Sequence, residues 1–260
     1  MRTLKLTLAY DGTAYAGWQV QSGQKTVQEV LEKTLAKITG EPVRIVGSGR
    51  TDAGVHALGQ VASFRTNSRL PTEVFQRALN AELPDDIAVR EAIEAAESFH
   101  ALRDAVRKRY RYIIHDGPVP DIFQRHYCWH YYGRLDAEAM ARAAHAILGT
   151  HDFSSFETSG AERRTSVRTV YEASLRRGEG PTSHVLTFEI EANGFLYNMV
   201  RAIVGSLVEV GRGAREEGWM AEILAAADRR VAGPTAPPQG LFLVRVDYEQ
   251  GGQTVNATGP

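Results

Sequence analysis

Apolar and polar residues alternate along several short segments of the chain, and longer amphipathic segments lie between them. The segment LKLTLAY, residues 4–10, alternates strictly and is typical of a half-buried strand. In TVQEVLEKTLAKITG the apolar residues recur at helical spacing. Thr26 stands at the cap position, Glu29 follows three residues later to complete a capping box, and Gly40 stands where the pattern ends. These signals predict a strand followed by a capped helix.

The same kinds of segment follow in a repeated order. Residues 1–100 read as strand, helix, strand, strand, helix, strand, and residues 105–248 repeat that order with one further helix inserted. Two βαββαβ units in tandem predict an α+β protein of two ferredoxin-like halves. We expect antiparallel or mixed sheets joined around a central cleft, with helices on the outer face. The tail, residues 249–260, lacks apolar periodicity, and we expect it to be disordered.

Composition adds the class of protein. The chain has 260 residues, of which 43% are hydrophobic and 23% charged, and these are values of a globular protein with a sizeable core. A single cysteine, Cys128, excludes an intrachain disulfide framework and fits a reducing compartment. The N-terminus lacks the apolar run of a secretion signal, and no segment approaches transmembrane length. We expect a soluble cytoplasmic protein with no membrane partner.

The net charge of -1 argues against a strongly basic nucleic-acid-binding protein. The basic residues are nevertheless clustered, in RKRYR at residues 107–111 and in arginine pairs at 163–164, 176–177 and 229–230. Acidic residues collect in segments that read as helix surfaces, so a neutral total can conceal a basic face. For the arginine pairs, ordinary solvated charges remain the alternative.

Common catalytic motifs are absent from the sequence: there is no P-loop, no nucleophile elbow, no HExxH and no CxxC. One metal candidate is HYCWH, which would place His126, Cys128 and His130 on the same side of a strand. Three such ligands suit zinc, but no fourth ligand is evident and aromatic residues lie between them. We therefore favour a packed strand and expect no metal.

The segment GSGRTDAGVHALGQ, residues 47–60, connects two apolar strands and contains Asp52. One interpretation is structural, because TDAG is ordinary turn chemistry in which Gly54 supplies a positive φ. The other is catalytic, because Arg50 precedes Asp52 by two residues and His56 follows it by four. A carboxylate beside a guanidinium stays ionised, which suits a nucleophile. The local pattern leaves both interpretations open.

Two later segments contain further candidates. In RKRYRYIIH a strand would place Tyr110 and Tyr112 on one face and Arg109 and Arg111 on the other. Such a strand could stack on a base and contact phosphate, although a core tyrosine pair with solvated arginines is an equal alternative. In the apolar helix FLYNMVRAIVG, Arg201 calls for a carboxylate partner unless its side chain reaches solvent at the edge of the apolar face.

Five segments occur in an order that resembles a known family: YDGTAYAGWQVQ, GSGRTDAGVHALGQVASF, RKRYRYII, FLYNMVRAIVGSL and TAPPQGLFLVRVDY. Together they span about residues 8–248 and resemble the tRNA pseudouridine synthase A family. The resemblance implies an isomerase that converts uridine to pseudouridine at positions 38–40 in the anticodon stem-loop of tRNA. It also implies no cofactor, no metal and a homodimer whose tRNA-binding surface spans both subunits.

The resemblance assigns roles to individual residues. Asp52 matches the family's nucleophile, Tyr110 the tyrosine that stacks on the target uracil, and Arg201 the arginine that pairs with the aspartate. Arg50 matches an arginine associated with base flipping. Further RNA contacts are implied at Phe99, His100, Arg103, Arg163 and Arg164, although Arg103 stands one place later than the family's arginine. A non-catalytic RNA-binding protein built on the same sheets is the alternative, but such a protein has little use for a carboxylate that faces RNA.

Overall fold

The computed structural model describes residues 1–158, 165–250 and 253–255. Helices and strands are mixed along the chain and most strand pairs are antiparallel, so the predicted α+β class is confirmed. The strands are β1 (Arg2–Tyr10), β2 (Val46–Gly47), β3 (His56–Thr66), β4 (Ile87–Ala95), β5 (Ala105–His115), β6 (Trp129–His130), β7 (Gly149–Asp152), β8 (Val167–Arg177), β9 (Val185–Ala192), β10 (Leu241–Gln250) and β11 (Gln253–Val255). The α-helices are α1 (Val27–Thr39), α2 (Thr72–Glu82), α3 (Ala137–Ala144), α4 (Met199–Gly211) and α5 (Trp219–Ala226).

The chain divides into two compact units, Met1–Val106 with Phe242–Pro260, and Arg107–Leu241. The sequence pattern instead placed the closing strand β10 in the second half. In the structure β10 pairs in parallel with β3, through Phe242 opposite His56 and Leu243 opposite Ala57, which places it in the sheet of the first unit. Periodicity alone cannot reveal this, because it shows that a segment is a strand and not which strand it joins.

The predicted disordered tail also differs from the structure over its described part. β10 continues through residues 249–250, and β11 pairs antiparallel with Tyr248–Gln250. Residues 251–252 and 256–260 lie outside the described residues.

In the first unit, β1 lies between β4 and β3 in an antiparallel sheet. The other edge of β3 is shared: β2 pairs with its Ala62–Ser63 segment, and β10 pairs with its beginning. Leu4 is opposite Phe64, so the two side chains lie on one face, and Phe64 meets Phe75 of α2 edge-on at 6.1 Å. The alternating leucines of β1 therefore face the helices, as the sequence pattern predicts.

The ends of α1 confirm Thr26 and Gly40 as capping residues, whereas the Glu29 carboxylate contacts Lys33 and not the Thr26 amide that a capping box requires. The Thr26 hydroxyl accepts the Glu29 amide at 3.4 Å. At the other end Gly40 adopts a left-handed conformation with φ of 72°, and its N–H donates to the carbonyl of Ala36 at 2.9 Å. The Glu29 carboxylate pairs with Lys33 at 2.6 Å. The helix is thus delimited by interactions within its own sequence.

In the second unit the sheet order is β5, β9, β8, β7, with β6 added in parallel beside β5. Asp116, directly after β5, has a fully buried side chain. Both terminal nitrogens of Arg177 donate to its carboxylate, at 3.0 and 2.8 Å, and the Leu135 amide donates at 3.0 Å. Burial opposes ionisation of Asp116, but these donors outweigh it and keep the pKa of the carboxyl below its usual value. The ion pair therefore joins β5 to the end of β8 and the approach to α3.

Gly40 offers a test of the helix end. A Cβ at Gly40 would have open space, yet an L-residue in this left-handed conformation costs roughly 1–2 kcal/mol. We expect Gly40→Ala to lower the free energy of unfolding by about 1 kcal/mol in urea titrations. Gly218 is the matched control, since its φ is -63° and it also has open space, and Gly218→Ala should change stability little. Equal effects of the two substitutions would contradict this account.

Candidate active site

Asp52 begins a four-residue turn between β2 and β3. The Val55 amide donates to the Asp52 carbonyl at 3.1 Å, which closes the turn. Gly54, the third residue, has φ of 75°, whereas Ala53 does not have a positive φ. A positive φ at the third position is the requirement of a type II turn, so glycine is needed there. The Asp52 side chain is partly exposed at the start of this turn.

The turn is held from outside by the segment that follows β1. The Trp18 amide donates to the Thr51 carbonyl at 3.0 Å, and the Gly54 amide donates to the Tyr15 carbonyl at 3.3 Å. Both contacts join main chain to main chain on either side of Asp52. They therefore fix the backbone of the aspartate without using its carboxylate.

Two glycines in this segment permit the close approach. A Cβ at Gly12 would lie 2.0 Å from the Val55 carbonyl oxygen, and one at Gly17 would lie 2.6 Å from that of Thr51. Gly17 also has φ of 93°, which L side chains rarely adopt. The glycines of YDGTAYAGWQ are thus explained by contact with the Asp52 turn.

A buried polar network supports the residues just before Asp52. The Tyr10 hydroxyl lies 2.8 Å from the Thr51 hydroxyl, and Gln60 donates to the Gly49 carbonyl at 2.9 Å and to Tyr10 at 3.4 Å. The Ser48 hydroxyl donates to the side-chain oxygen of Gln60 at 2.6 Å. Burial raises the pKa of Tyr10 to about 12, so its hydroxyl stays protonated near neutral pH. This network could not be predicted from the sequence, because its members look like ordinary strand residues.

His56 is part of the support and not an exposed group. It is 1% exposed, its ring stacks on Phe242 at 4.7 Å, and its Nδ1 accepts the Gly12 amide at 3.0 Å. The same Nδ1 lies 3.1 Å from a carboxylate oxygen of Asp11, so the ring is held against the Asp11–Gly12 segment. The proximity of His56 to Asp52 in sequence reflects this packing.

Arg50 is exposed, and within the described parts of the chain its side chain makes no ion pair or hydrogen bond. The structure therefore does not support the hypothesis that Arg50 keeps Asp52 ionised. Its guanidinium is directed to solvent, where an arginine can meet a nucleic-acid ligand.

Tyr110 lies on β5 of the second unit, opposite Ile190 of β9. The side chain is 7% exposed, and its ring meets Phe195 edge-on at 4.9 Å. Tyr112 shares this face and is fully buried, and its hydroxyl donates to the Pro237 carbonyl at 2.7 Å. Burial raises the pKa of Tyr112 well above its ordinary value. The predicted shared face of the two tyrosines is confirmed, and of the two Tyr110 is the less deeply buried.

Arg201 lies in the first turn of α4 and is half-buried. Its Nε donates to the Ala236 carbonyl at 2.7 Å, and its Nη1 donates to the Asn198 side-chain oxygen at 2.9 Å. The Ala236 amide in turn donates to the Arg201 carbonyl at 3.0 Å. Two neutral acceptors of its own unit therefore help to orient the guanidinium. The contact with Asn198 could not be predicted from the sequence, because asparagine at the start of a helix normally indicates a cap.

Comparison with known families supports a single identification. A family model described as tRNA pseudouridine synthase matches residues 7–102 and 143–249, which include the Asp52 turn and Arg201. The chain belongs to the tRNA pseudouridine synthase family. The predicted enzyme class, an isomerase that converts uridine to pseudouridine in tRNA, is thereby confirmed.

Relatives named "tRNA pseudouridine synthase A" are similar over nearly the whole chain. The one from Moorella thermoacetica (strain ATCC 39073 / JCM 9320) is 51% identical over 250 residues, 95% of this chain and 100% of its own length. The one from Thermoanaerobacter sp. (strain X514) is 49% identical over 248 residues, again 95% of this chain and 100% of its own. A solved structure titled "Crystal Structure of a Cbf5-Nop10-Gar1 Complex" is 14% identical, with a TM-score of 0.38 over 92% of this chain and 48% of that one, and supports no argument.

In this pseudouridine synthase the RKRYR segment differs from the sequence interpretation. Arg109 is not solvated: Glu172, Glu189 and Glu191 surround it, with Nε and Nη1 donating to Glu191 and Glu189 at 3.1 Å each. Arg111 pairs with Glu189 as well, at 2.6 Å. The expected positive face of β5 is therefore neutralised by glutamates of β8 and β9.

This ion-pair cluster is structural in character. The Arg109 side chain is 17% exposed, and those of Glu189 and Glu191 are 13% and 6% exposed. Burial opposes ionisation of Glu189, but Arg111 and Arg109 outweigh it and lower the pKa of the carboxyl. Arg109 thus stabilises the sheet through buried ion pairs.

The other implied RNA contacts lie in the connection after β4. Phe99 packs against the Tyr248 ring at 5.0 Å. Arg103 is exposed, and its Nε donates to Asp104 at 2.9 Å, while the same carboxylate accepts the His100 amide at 2.8 Å. The backbone hydrogen bond from His100 and the contact with Arg103 lower the pKa of Asp104. Arg163 and Arg164 lie outside the described residues.

The zinc alternative loses its geometric basis. β6 consists only of Trp129–His130, and the residues before it form turns in which the Cys128 thiol contacts the Gln124 carbonyl at 3.3 Å. His126 and Cys128 therefore do not share the face of a strand with His130. Within residues 1–158, 165–250 and 253–255, no group of three His, Cys, Asp or Glu side chains is arranged to hold a metal ion.

The Arg109 cluster yields a stability prediction. Arg109→Met removes the one cation shared by all three glutamates, while Arg107 and Arg111 remain beside Glu191 and Glu189. Removing one partner of a buried ion pair typically costs 3–5 kcal/mol, and the remaining arginines place this substitution at the lower end. We expect its free energy of unfolding to fall by about 3 kcal/mol in urea titrations at neutral pH. The control is Arg176→Met on β8, whose side chain is exposed, and a change within about 0.5 kcal/mol is expected there. A stable Arg109→Met variant that loses tRNA affinity would restore the RNA-binding interpretation.

Proposed function

We propose that this pseudouridine synthase acts on uridines 38–40 in the anticodon stem-loop of tRNA, with Asp52 as the nucleophile. The observation that carries the proposal is the Asp52 turn, in which main-chain hydrogen bonds fix the backbone on both sides and leave the carboxylate partly exposed. The turn lies in GSGRTDAGVHALGQ, one of the segments that resemble the A branch of the family. The relatives named for that branch cover 95% of the chain.

The chemistry suits an aspartate. Pseudouridine formation breaks the bond between ribose C1′ and uracil N1, turns the base, and forms a new bond from C1′ to uracil C5. The C5 proton is lost and N1 gains one, so the reaction is a redox-neutral isomerisation. An ionised carboxylate can attack ribose C1′ or uracil C6 to begin it. Asp52 is the side chain that we assign to this attack.

Tyr110 and Arg201 have supporting roles in this proposal. The target base must leave the helical stack, at a cost of a few kcal/mol. Stacking on an aromatic ring contributes roughly 1–3 kcal/mol per base and offsets part of that cost, and we assign this contact to Tyr110. Arg201 keeps Asp52 ionised and oriented through a charge-assisted hydrogen bond. The neutral acceptors around Arg201 support this role, because they orient its charge without cancelling it.

We assign the surrounding RNA contacts to exposed cations. Arg50 is exposed next to Asp52 in sequence and suits contact with the vacated stack or a phosphate. The connection with Phe99, His100 and Arg103 is built around Asp104 and presents the Arg103 guanidinium to solvent. We keep Arg163 and Arg164 as further RNA contacts from the family resemblance. The β5 arginines are omitted from this set, because glutamates neutralise them.

We also propose a cytoplasmic homodimer whose tRNA-binding surface spans two subunits, as the family resemblance implies. One observation accords with this assignment to the cytoplasm. Cys128, the only cysteine of the chain, is buried as a free thiol. Among the described residues, no helix has both the length and the apolar character needed to cross a bilayer.

The nucleophile is tested by Asp52→Asn, which keeps the shape of the side chain and removes its charge. We expect release of the C5 hydrogen from tRNA labelled with tritium at uracil C5 to fall to background, while tRNA affinity in filter binding persists. The control is Asp85→Asn, an exposed aspartate that should leave the rate unchanged. Native-like release by Asp52→Asn would refute the assignment. Binding without any release by the unsubstituted protein would favour a non-catalytic RNA-binding protein.

The target positions are tested separately with tRNA transcripts. Replacing uridines at 38, 39 and 40 by cytidine should abolish pseudouridine formation, whereas replacing a uridine in another arm should not. Chemical mapping of pseudouridine by primer extension reads both outcomes. Product at a uridine outside positions 38–40 would overturn the positional proposal and leave the isomerase activity intact.

A further inference from the structure

Asn198 has an unusual backbone conformation for its place in the fold. It precedes the first residue of α4, and its φ and ψ are 60° and 6°, in the left-handed region. Among the described residues, only one other non-glycine residue has a positive φ, Ala227 at the end of α5. Asparagine tolerates this region better than most residues, but the conformation remains less favourable than it would be for glycine. The side chain should therefore explain why asparagine, and not glycine, occupies this position.

The side chain of Asn198 does not cap the helix. Asparagine at this position normally has an extended backbone and accepts a hydrogen bond from an amide of the first turn. No such bond is made by Asn198. Its oxygen instead accepts from Arg201 Nη1 at 2.9 Å, and its nitrogen donates to the Thr158 hydroxyl at 3.1 Å. Since a guanidinium can only donate, the orientation of the amide is fixed by chemistry.

The left-handed backbone has a consequence for Arg201. It directs the Asn198 amide toward a residue three positions later, and Thr158 anchors the other end of that amide. The Ala236 carbonyl, in a residue that is 1% exposed, holds Arg201 Nε at 2.7 Å. Two nitrogens of the guanidinium are thus fixed by acceptors that are themselves held in place.

Asn198 and Ala236 hold Arg201 with neutral groups, whereas carboxylates hold two other arginines of the same unit. Arg109 contacts three glutamates, and Arg177 contacts Asp116 with both terminal nitrogens. A carboxylate orients an arginine but also neutralises it, whereas a carbonyl and an amide orient it and leave its charge available. An amide at position 198 suits an arginine whose charge is needed by another group.

We propose that Asn198 is a positioning residue for the isomerisation, which holds the Arg201 guanidinium in place without neutralising it. The inference rests on the proposed role of Arg201 toward the nucleophile. Asn198 acts only through Arg201 and does not contact the substrate. Its strained backbone is retained because no glycine could supply the acceptor.

The decisive substitution is Asn198→Gly, which suits the left-handed backbone and removes both side-chain hydrogen bonds. We expect an unchanged or higher Tm together with a single-turnover rate on an unmodified tRNA transcript that falls by about tenfold to a hundredfold. The Kd for the transcript should stay within about twofold. A merely structural residue would instead lose Tm and rate together, or neither. Either of those results overturns the inference.

The matched control is Ala227→Gly, the same relief of strain at the other left-handed non-glycine residue. It should raise or preserve Tm and leave the single-turnover rate unchanged. Asn198→Asp tests the charge requirement, because it keeps the shape and the acceptor but adds a carboxylate beside Arg201. We expect a slower rate in a folded protein, and a native rate would overturn the requirement for a neutral acceptor.

A double-mutant cycle separates this inference from the proposed function. If Asn198 acts through Arg201, adding Asn198→Gly to Arg201→Lys should slow the reaction far less than it does in the native background. Additive losses would show an independent role and overturn the inference alone. A native rate in Arg201→Lys and Arg201→Met would refute the proposed role of Arg201, and the role of Asn198 would fall with it.

Discussion

The candidate chemistry of the first unit depends on close main-chain contact between the Asp52 turn and the segment from Gly12 to Trp18. A nucleophile has to be reachable by its substrate and yet fixed in position. Side-chain partners that fix a carboxylate also cover it, whereas backbone hydrogen bonds leave it accessible. The contact requires small residues where the two chains meet, which is why Gly12 and Gly17 lack room for a Cβ. The conformation of this short turn therefore requires glycine at two positions that precede Asp52 by 40 and 35 residues.

The arginines of the second unit differ in the charge of the groups that contact them. Arg109 and Arg177 are paired with carboxylates, which repay the cost of removing a guanidinium from water and hold strands together. Two of the contacts of Arg201 are with neutral groups, a carbonyl and an amide. Arg109 and Arg177 would be difficult to recruit for RNA binding, because a phosphate would have to displace a buried acid. Counting basic residues in a sequence cannot make this distinction.

The features that the sequence predicted well are those whose causes are local. The helix α1 begins and ends at residues whose own side chain or backbone supplies the cap, so Thr26 and Gly40 could be read directly. The features that could not be predicted depend on residues far away in the sequence. Arg109, for example, contacts Glu172 and Glu191, which lie 63 and 82 residues away. The pairing of β10 with β3 is equally non-local. The role of Asn198 could not be predicted for another reason. Nothing in a sequence distinguishes an asparagine with a left-handed backbone from one that caps a helix.

The placement of β10 has a consequence for how the protein is made. The second unit is a continuous stretch of chain, residues 107–241, while the first combines residues 1–106 with 242–260. During synthesis the continuous unit has its full sequence first, and the unit that contains Asp52 must wait for the strand that closes its sheet. A ribosome-bound chain that has emerged only as far as residue 241 therefore holds the candidate nucleophile in an unfinished sheet. Assembly of the first unit thus ends with the strand that completes the sheet beside the candidate nucleophile.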